Sequence, residues 1–232
     1  MHIKGNRSDD YYKQWKDLNA QHKSTISGNN KIAPGQDYDI NNIVDEWFKW
    51  YLSIPTTENP IANLGTYFQY ANTYLFNKNN TLVYFVAVAP FQKPDFRRII
   101  MTRKAALLVP VYKFHASRQD YPSLQNEDDL IKLVKDDLDS VLLEATFDGD
   151  QSIHGTLVMK EKPLEVSNVP KNNLYAVPED RLEAGSTTKI YHGGYWILIK
   201  DDMLTPGDHL LWFKAESKNF EVEAKIFINA LF

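Results

Sequence analysis

Two histidines, His192 and His209, flank stretches that read as neighbouring strands, with Asp201, Asp202 and Asp208 close by in the chain. Imidazole nitrogen and carboxylate oxygen together suit zinc or a similar divalent ion. The competing reading is that His209 hydrogen-bonds within a turn, and that reading is preferred, so no metal ligand is assigned. Asp148-Gly149-Asp150 with His154 gathers oxygen donors, but not at the spacing of an EF-hand loop. A hairpin turn explains it better. Glu144, Asp148, Glu221 and Glu223 could supply the two carboxylates of a glycosidase. No spacing pairs them, and a solvated sheet face accounts for them. G-x-S-x-G, P-loop, G-x-G-x-x-G and H-E-x-x-H are absent, and no spacing selects a Ser-His-Asp triad. No catalytic residue and no cofactor is assigned.

Residue types suited to binding are more evident. Arg97, Arg98 and Arg103, with Lys93 and Lys104, form a local basic cluster able to hold an anion. Edge-strand charges that deter aggregation are the competing explanation. Tyr195, Trp196 and Trp212 fall on strands. Exposed rings on a sheet face stack on sugars, whereas buried ones pack the core. Alternation sends Tyr195 and Trp196 to opposite faces, and Trp212 shares its face with Lys214, which favours the outside. The ligand-binding candidates are therefore Tyr195, Trp196, His209, Trp212 and Arg98.

These residues need a scaffold, and composition limits which. The chain has 232 residues, 43% of them apolar, enough for a sizeable core and too apolar for disorder. Aromatics reach 13%, with 13 Tyr and 12 Phe, which leans towards strands. The net charge of -4 is not that of a protein that tracks nucleic-acid phosphates. Cysteine is absent, which excludes disulfides and thiolate chemistry. No apolar run is long enough to span a membrane. The first residues lack the apolar core of a signal peptide, so the expectation is a cytoplasmic protein or a mature secreted form. The oligomeric state stays open.

Along the chain, Ser8 can cap a helix over 9–23, and 24–41 is a Ser-, Gly- and Asn-rich linker. Residues 1–41 thus form an N-terminal helix and linker, and 42–232 a β-sandwich domain. Asn42 can cap a helix over 43–53 that is apolar nearly all round, and therefore buried or in an interface. A strand over 67–76, a turn at 77–80 and an apolar strand over 81–89 make a hairpin. Strands follow at 97–103 and 105–112, with Pro110 at an edge or bulge. Asn126 can cap an amphipathic helix striped by Leu130, Leu133, Val134 and Leu138. Strands at 141–147 and 153–160 flank Asp148-Gly149-Asp150 as a hairpin. Residues 161–187 are mostly loop, with a short strand at 164–166. Strands at 195–199, 210–213 and 220–228 complete a three-stranded meander. Roughly nine strands and two or three decorating helices predict a mainly β protein, a β-sandwich of jelly-roll or immunoglobulin-like packing.

Several short motifs share an order. They run from Trp47…Trp50, Ser53-Ile54-Pro55 and Asn59-Pro60 to Val83-Tyr84-Phe85-Val86-Ala87, then Arg98 and Leu108-Val109-Pro110-Val111. Phe147-Asp148-Gly149, Gly194-Tyr195-Trp196 and Pro206-Gly207-Asp208-His209 follow. This order resembles a group of uncharacterised, often secreted prokaryotic proteins, over about residues 43–228, with a closing hairpin like that of immunoglobulin-like domains. The resemblance implies no mechanism. The reading that results is a non-enzymatic β-sandwich protein with a binding or structural role, its partner a glycan or a protein surface. The alternative is a hydrolase acting on a carbohydrate or ester.

Overall fold

The structure, a computed structural model, describes residues 38–55, 57, 59, 75–78, 81–88, 95–102, 104–124, 126–150, 153–167 and 185–232. The expected helix at 9–23, most of the linker, Lys93, Arg103 and most of the 67–76 strand lie outside the described residues. From Gln36 onwards the chain packs as one unit.

The described residues form ten strands in two sheets, with two helices. Helix α1 is Ile40–Ser53. Its cap is Asp39, three residues before the expected Asn42; the Asp39 carboxylate accepts from the Asn42 backbone N–H at 3.2 Å. Helix α2 is Glu127–Leu138, capped by Asn126 as its sequence predicts. The strands are β1 (Leu75–Lys78), β2 (Thr81–Phe85), β3 (Asp95–Met101), β4 (Ala106–Ala116) and β5 (Leu142–Phe147). They continue as β6 (Thr156–Met159), β7 (Leu164–Val166), β8 (Thr188–Ile199), β9 (Gly207–Glu216) and β10 (Glu221–Ala230).

The first sheet runs β1-β2-β4-β8-β6, with β7 also pairing β8; the second runs β3-β10-β9-β5. Their inner faces share one core. Leu107, Val109, Ile197 and Ile199 come from the first sheet, and Leu211, Phe213, Ile226 and Ile228 from the second. This is a mainly β, sandwich-like fold with few helices. Leu130, Val134 and Leu138 of α2 join the same core. Helix α1 instead covers the outer face of the first sheet, burying Trp47, Phe48 and Leu52 against Phe85, Leu108, Ile190 and Trp196. No helix of the described residues is long and apolar enough to cross a membrane.

Two expected pairings are corrected. The Asp148-Gly149 turn exists, with both residues at positive φ (52° and 83°), as a tight two-residue reversal requires. Yet β5 pairs with β9 in the second sheet, and β6 with β8 in the first. The chain changes sheets at this turn instead of making a hairpin. The three-stranded meander is likewise only a hairpin: β9 and β10 pair antiparallel, while β8 belongs to the first sheet. A local turn signal fixes the reversal of the chain; it does not fix which sheet completes the next strand's hydrogen bonds.

Pro110 lies in a central strand, at the bulge in register between Pro110 and Tyr112 against β8. The extra residue puts Val111 and Tyr112 both on the inter-sheet core. Lys113 and His115 are thereby turned to the α1 side. Across from Lys113 lies Gly194, where a Cβ would stand 2.4 Å from the Tyr112 carbonyl oxygen. Only glycine fits so close to the neighbouring backbone.

Candidate functional site

The outer face of the second sheet is built by strict alternation. Along β10, Val222, Ala224, Ile226 and Ile228 go to the core, which leaves Glu221, Glu223, Lys225, Phe227 and Asn229 outside. β9 contributes Leu210, Trp212, Lys214 and Glu216, and β3 contributes Phe96, Arg98 and Ile100. Register then sets neighbours. Lys225 lies opposite Trp212 on one side and Phe96 on the other. Phe227, one row along, lies opposite Leu210 and beside Arg98. Phe96, Phe227 and Trp212 thus form a triangle of rings about 10 Å wide, two strand spacings.

The rings are held by their neighbours. The Trp212 indole N–H donates to Glu223 Oε1 at 3.1 Å, and the Lys225 ammonium sits 5.7 Å from the Phe96 ring centroid. Phe96 is 44% exposed, and Trp212 and Phe227 are half-buried. Arg98 is exposed and has no carboxylate partner among the described residues. Beyond the rings, Lys214 bonds Glu221 at 3.3 Å, and this contact, with the Glu221 charge, raises its pKa. The carboxylates considered for catalysis are thus spread over the outer sheet face or tied to neighbours.

The five candidate residues separate. Trp212 and Arg98 share the outer face just described. Trp196 lies on the other sheet and is 0% exposed, wedged edge-on against Trp47 at 5.1 Å and Phe48 at 5.8 Å. It has no ring face to offer a ligand, which corrects its place among the candidates. Tyr195 points to the opposite side of β8 and packs at the margin of the inter-sheet core. His209 faces inward on β9 and is nearly buried. Its Nδ1 lies 2.7 Å from Asp148 Oδ2 and its Nε2 2.7 Å from the Thr205 carbonyl. Burial opposes its charge, but the Asp148 carboxylate and the Thr205 carbonyl prevail, so its pKa is raised. His209 therefore locks the Asp148 turn to the Thr205 loop. It does not approach His192, which lies on the α1-facing side of the other sheet. Arg97 is also no surface charge: it is buried, its Nε donating to buried Asp95 at 2.7 Å.

A second group of polar residues lies between α1 and the first sheet. Asp45 of α1 places Oδ1 3.1 Å from His192 Nε2, and Lys160 Nζ reaches its Oδ2 at 3.2 Å. Burial drives the Asp45 pKa up, but His192 and Lys160 outweigh it and the net shift is downward. His192 is fully buried beneath Phe48, ring centroids 4.3 Å apart, and its pKa is lowered by that desolvation in spite of Asp45. His115, opposite it on β4, is pushed down to about 4, chiefly by burial, which outweighs an upward pull from Asp120; the Lys113 and His192 charges add smaller downward pushes. Lys113 lays its ammonium 4.7 Å from the Tyr51 ring centroid and 5.8 Å from that of Trp47. Burial lowers its pKa to about 8.

Sequence reasoning missed Asp45, Lys113 and His115. The signal was available: Lys113-Phe114-His115-Ala116 continues the alternation of β4 past the expected end at Tyr112. Burial of the polar positions of that alternation depends on α1, some seventy residues earlier, and nothing local reveals it.

No protein-family model and no curated protein sequence matches this chain. Among solved structures it is similar to a family 123 glycoside hydrolase from Clostridium perfringens, studied for glycolipid glycan hydrolysis. Identity is 13% and the TM-score 0.24, over 59% of this chain and 23% of that one. The chain spans less than a quarter of that structure's length, and a likeness this slight carries no argument about fold or function.

Proposed function

We propose that this protein is a glycan-binding module, and that the outer face of its second sheet is the binding surface. The single observation that carries the reading is the ring triangle of Phe96, Phe227 and Trp212 on a sheet face that no helix of the described residues covers, and on which Leu210 is buried. The faces of sugar rings carry C–H groups that stack on aromatic rings, while their edges carry hydroxyls that need hydrogen-bond partners. Polar side chains interleave with the rings here: Lys225 between Phe96 and Trp212, Arg98 beside Phe227, and Asn229 and Asp208 one row on. Asn229 already donates to Asp208, so the group that a purely apolar protein partner would bury without a carboxylate is Arg98. The Trp212 ring is already fixed by Glu223, which reduces the ordering cost of binding.

A hydrolase would draw its acid and base from the Asp45–His192 pair, the observation that favours that alternative. His192 is fully buried under Phe48, so a substrate would have no path to its ring without moving α1. The binding reading needs no such motion.

The test is a screen of neutral and acidic oligosaccharides against the intact chain, repeated with Trp212→Ala and Phe227→Ala. Loss of one stacked ring should weaken binding by about 0.5–1.5 kcal/mol beyond the lost contact area, roughly 2- to 12-fold or more. Arg98→Ala should weaken acidic oligosaccharides more than neutral ones. Binding to the wild type that survives both ring substitutions unchanged would end the proposal.

A further inference from the structure

At the end of the sandwich where His209 lies, the chain passes between the sheets at two points. One is Asp148-Gly149, on the way from β5 to β6; the other is the loop carrying Thr205, from β8 to β9. His209 touches both, with Nδ1 2.7 Å from Asp148 Oδ2 and Nε2 2.7 Å from the Thr205 carbonyl oxygen. A carbonyl oxygen can only accept, so Nε2 carries a hydrogen. An ionised carboxylate can only accept as well, so Nδ1 carries another. Counting donors alone therefore makes the ring an imidazolium. Loss of that proton would set a nitrogen lone pair against a carboxylate oxygen 2.7 Å away.

The same carboxylate reaches the strand beneath the rings. β5 pairs with β9 as far as Phe147 and Leu211. At the next position the Asp148 N–H still donates to the Leu210 carbonyl at 2.9 Å. The chain then turns away at positive φ (52°), and Asp148 Oδ1 takes the Leu210 N–H at 2.8 Å where a backbone carbonyl would have done so. Leu210 lies opposite Phe227 and two positions before Trp212 on the outer face. One carboxylate thus holds His209 with one oxygen and the platform strand with the other.

We propose that His209 and Asp148 form a proton-operated latch, closed while the imidazole is charged and opened by its deprotonation, which sets the order of the ring platform beside it. The latch bears on the glycan reading through the platform but stands without it. The groups around the ring set its direction. Burial disfavours the charge, but the Asp148 carboxylate, the Thr205 carbonyl and the Asp208 charge outweigh it, so the His209 pKa is raised above 6.5. From β5 the Phe147 ring stacks on the imidazole at 5.5 Å, and from β10 Ile228 lies opposite; both are uncharged. The latch is therefore fully closed below pH 6.5 and weakens as pH rises to the folded value. Across that window the open population should grow by up to about tenfold per pH unit.

The test is hydrogen exchange of the intact chain, followed by NMR between about pH 5 and pH 9 at the Asp148, Leu210 and Ile226 amides. Ile226, in the middle of β10, should follow base catalysis alone. Asp148 and Leu210 should exceed it above pH 6.5 by up to about tenfold per pH unit. The Trp212 indole N–H signal should move with the His209 midpoint. Asp148→Asn supplies the sharper arm. Its amide oxygen can keep the Leu210 N–H, and its NH2 can donate to Nδ1, so a neutral imidazole satisfies every contact. Asparagine also tolerates positive φ. The excess exchange should vanish in this variant with both amides still protected. Wild-type exchange that follows base catalysis at all three amides, or an excess that survives in Asp148→Asn, would overturn the latch. A Trp212 signal unmoved across the His209 titration would overturn its link to the platform. The wild-type comparison with Ile226 decides the latch even if the variant folds poorly, and no readout uses a sugar, so failure of the glycan reading leaves the test intact.

Discussion

At the residue scale the structure rests on a few heavily used side chains. Trp47 is fully buried, stacks on Tyr51 at 4.9 Å, meets Trp196 edge-on, and donates its indole N–H to the Val86 carbonyl at 2.7 Å. Trp47→Ala should therefore cost about 3–5 kcal/mol in chemical denaturation. A cost below about 1 kcal/mol would mean that α1 does not anchor there. The histidines should titrate in opposite directions. His115 and His192 have folded pKa values below the ordinary 6.5, so the unfolded chain takes up their protons first as pH falls. Their stabilising contribution is complete above pH 6.5 and is lost on acidification, down to about pH 4 for His115, by up to about 1.4 kcal/mol per pH unit per proton. His209 has a raised pKa, so its contribution is complete below pH 6.5 and is lost as pH rises through the folded value. Imidazole NMR titration should place His209 above 6.5 and the other two below it. His192 titrating above 6.5 would contradict the arrangement under Phe48. Of these roles, only the hydrogen bonding of His209 was foreseeable from its turn residues. Lys113 and His115 were not, because the burial of a strand's polar face is decided by the element laid over it.

At the element scale, legibility follows the range of the interaction that decides. The alternation of β10 and the all-round apolar surface of α1 are local patterns, and both elements formed where the pattern put them. Ile226 is fully buried, so Ile226→Asp should cost several kcal/mol, while Lys225→Ala should leave the melting temperature nearly unchanged. A near-normal melting temperature for Ile226→Asp would refute the register. The pairing partners of β5, β6 and β8 were not legible, because Asp148-Gly149 and Asp201-Asp202 mark reversals without naming a sheet. Nor was the tie that holds α2: the Tyr112 hydroxyl donates to buried Asp137 at 2.6 Å, and the Asn219 amide in the β9–β10 turn donates to the same carboxylate. The Tyr112 ring also stacks on Phe220 at 4.6 Å. Tyr112→Phe keeps the stack and removes a donor to a buried carboxylate. The expected loss is about 1–3 kcal/mol by denaturant titration, and no loss would show that water replaces the hydroxyl.

At the scale of the whole molecule, the two sheets are finished differently. The outer face of the first is closed by α1, and its most aromatic strand position, Trp196, is spent on that closure. The outer face of the second carries no helix among the described residues and displays Phe96, Phe227 and Trp212 instead. The sandwich has its own core from Gln36 onwards, so deleting residues 1–35 should leave cooperative thermal unfolding intact; a molten, non-cooperative product would contradict that. The asymmetry of the faces singles out the ring platform as the proposed binding surface, and one titration decides it. The indole N–H resonances are followed by NMR as the best oligosaccharide from the screen is added. The Trp212 signal should move in a saturable way while those of Trp47 and Trp196 stay fixed. Saturable shifts of Trp47 and Trp196 with Trp212 unmoved would contradict it.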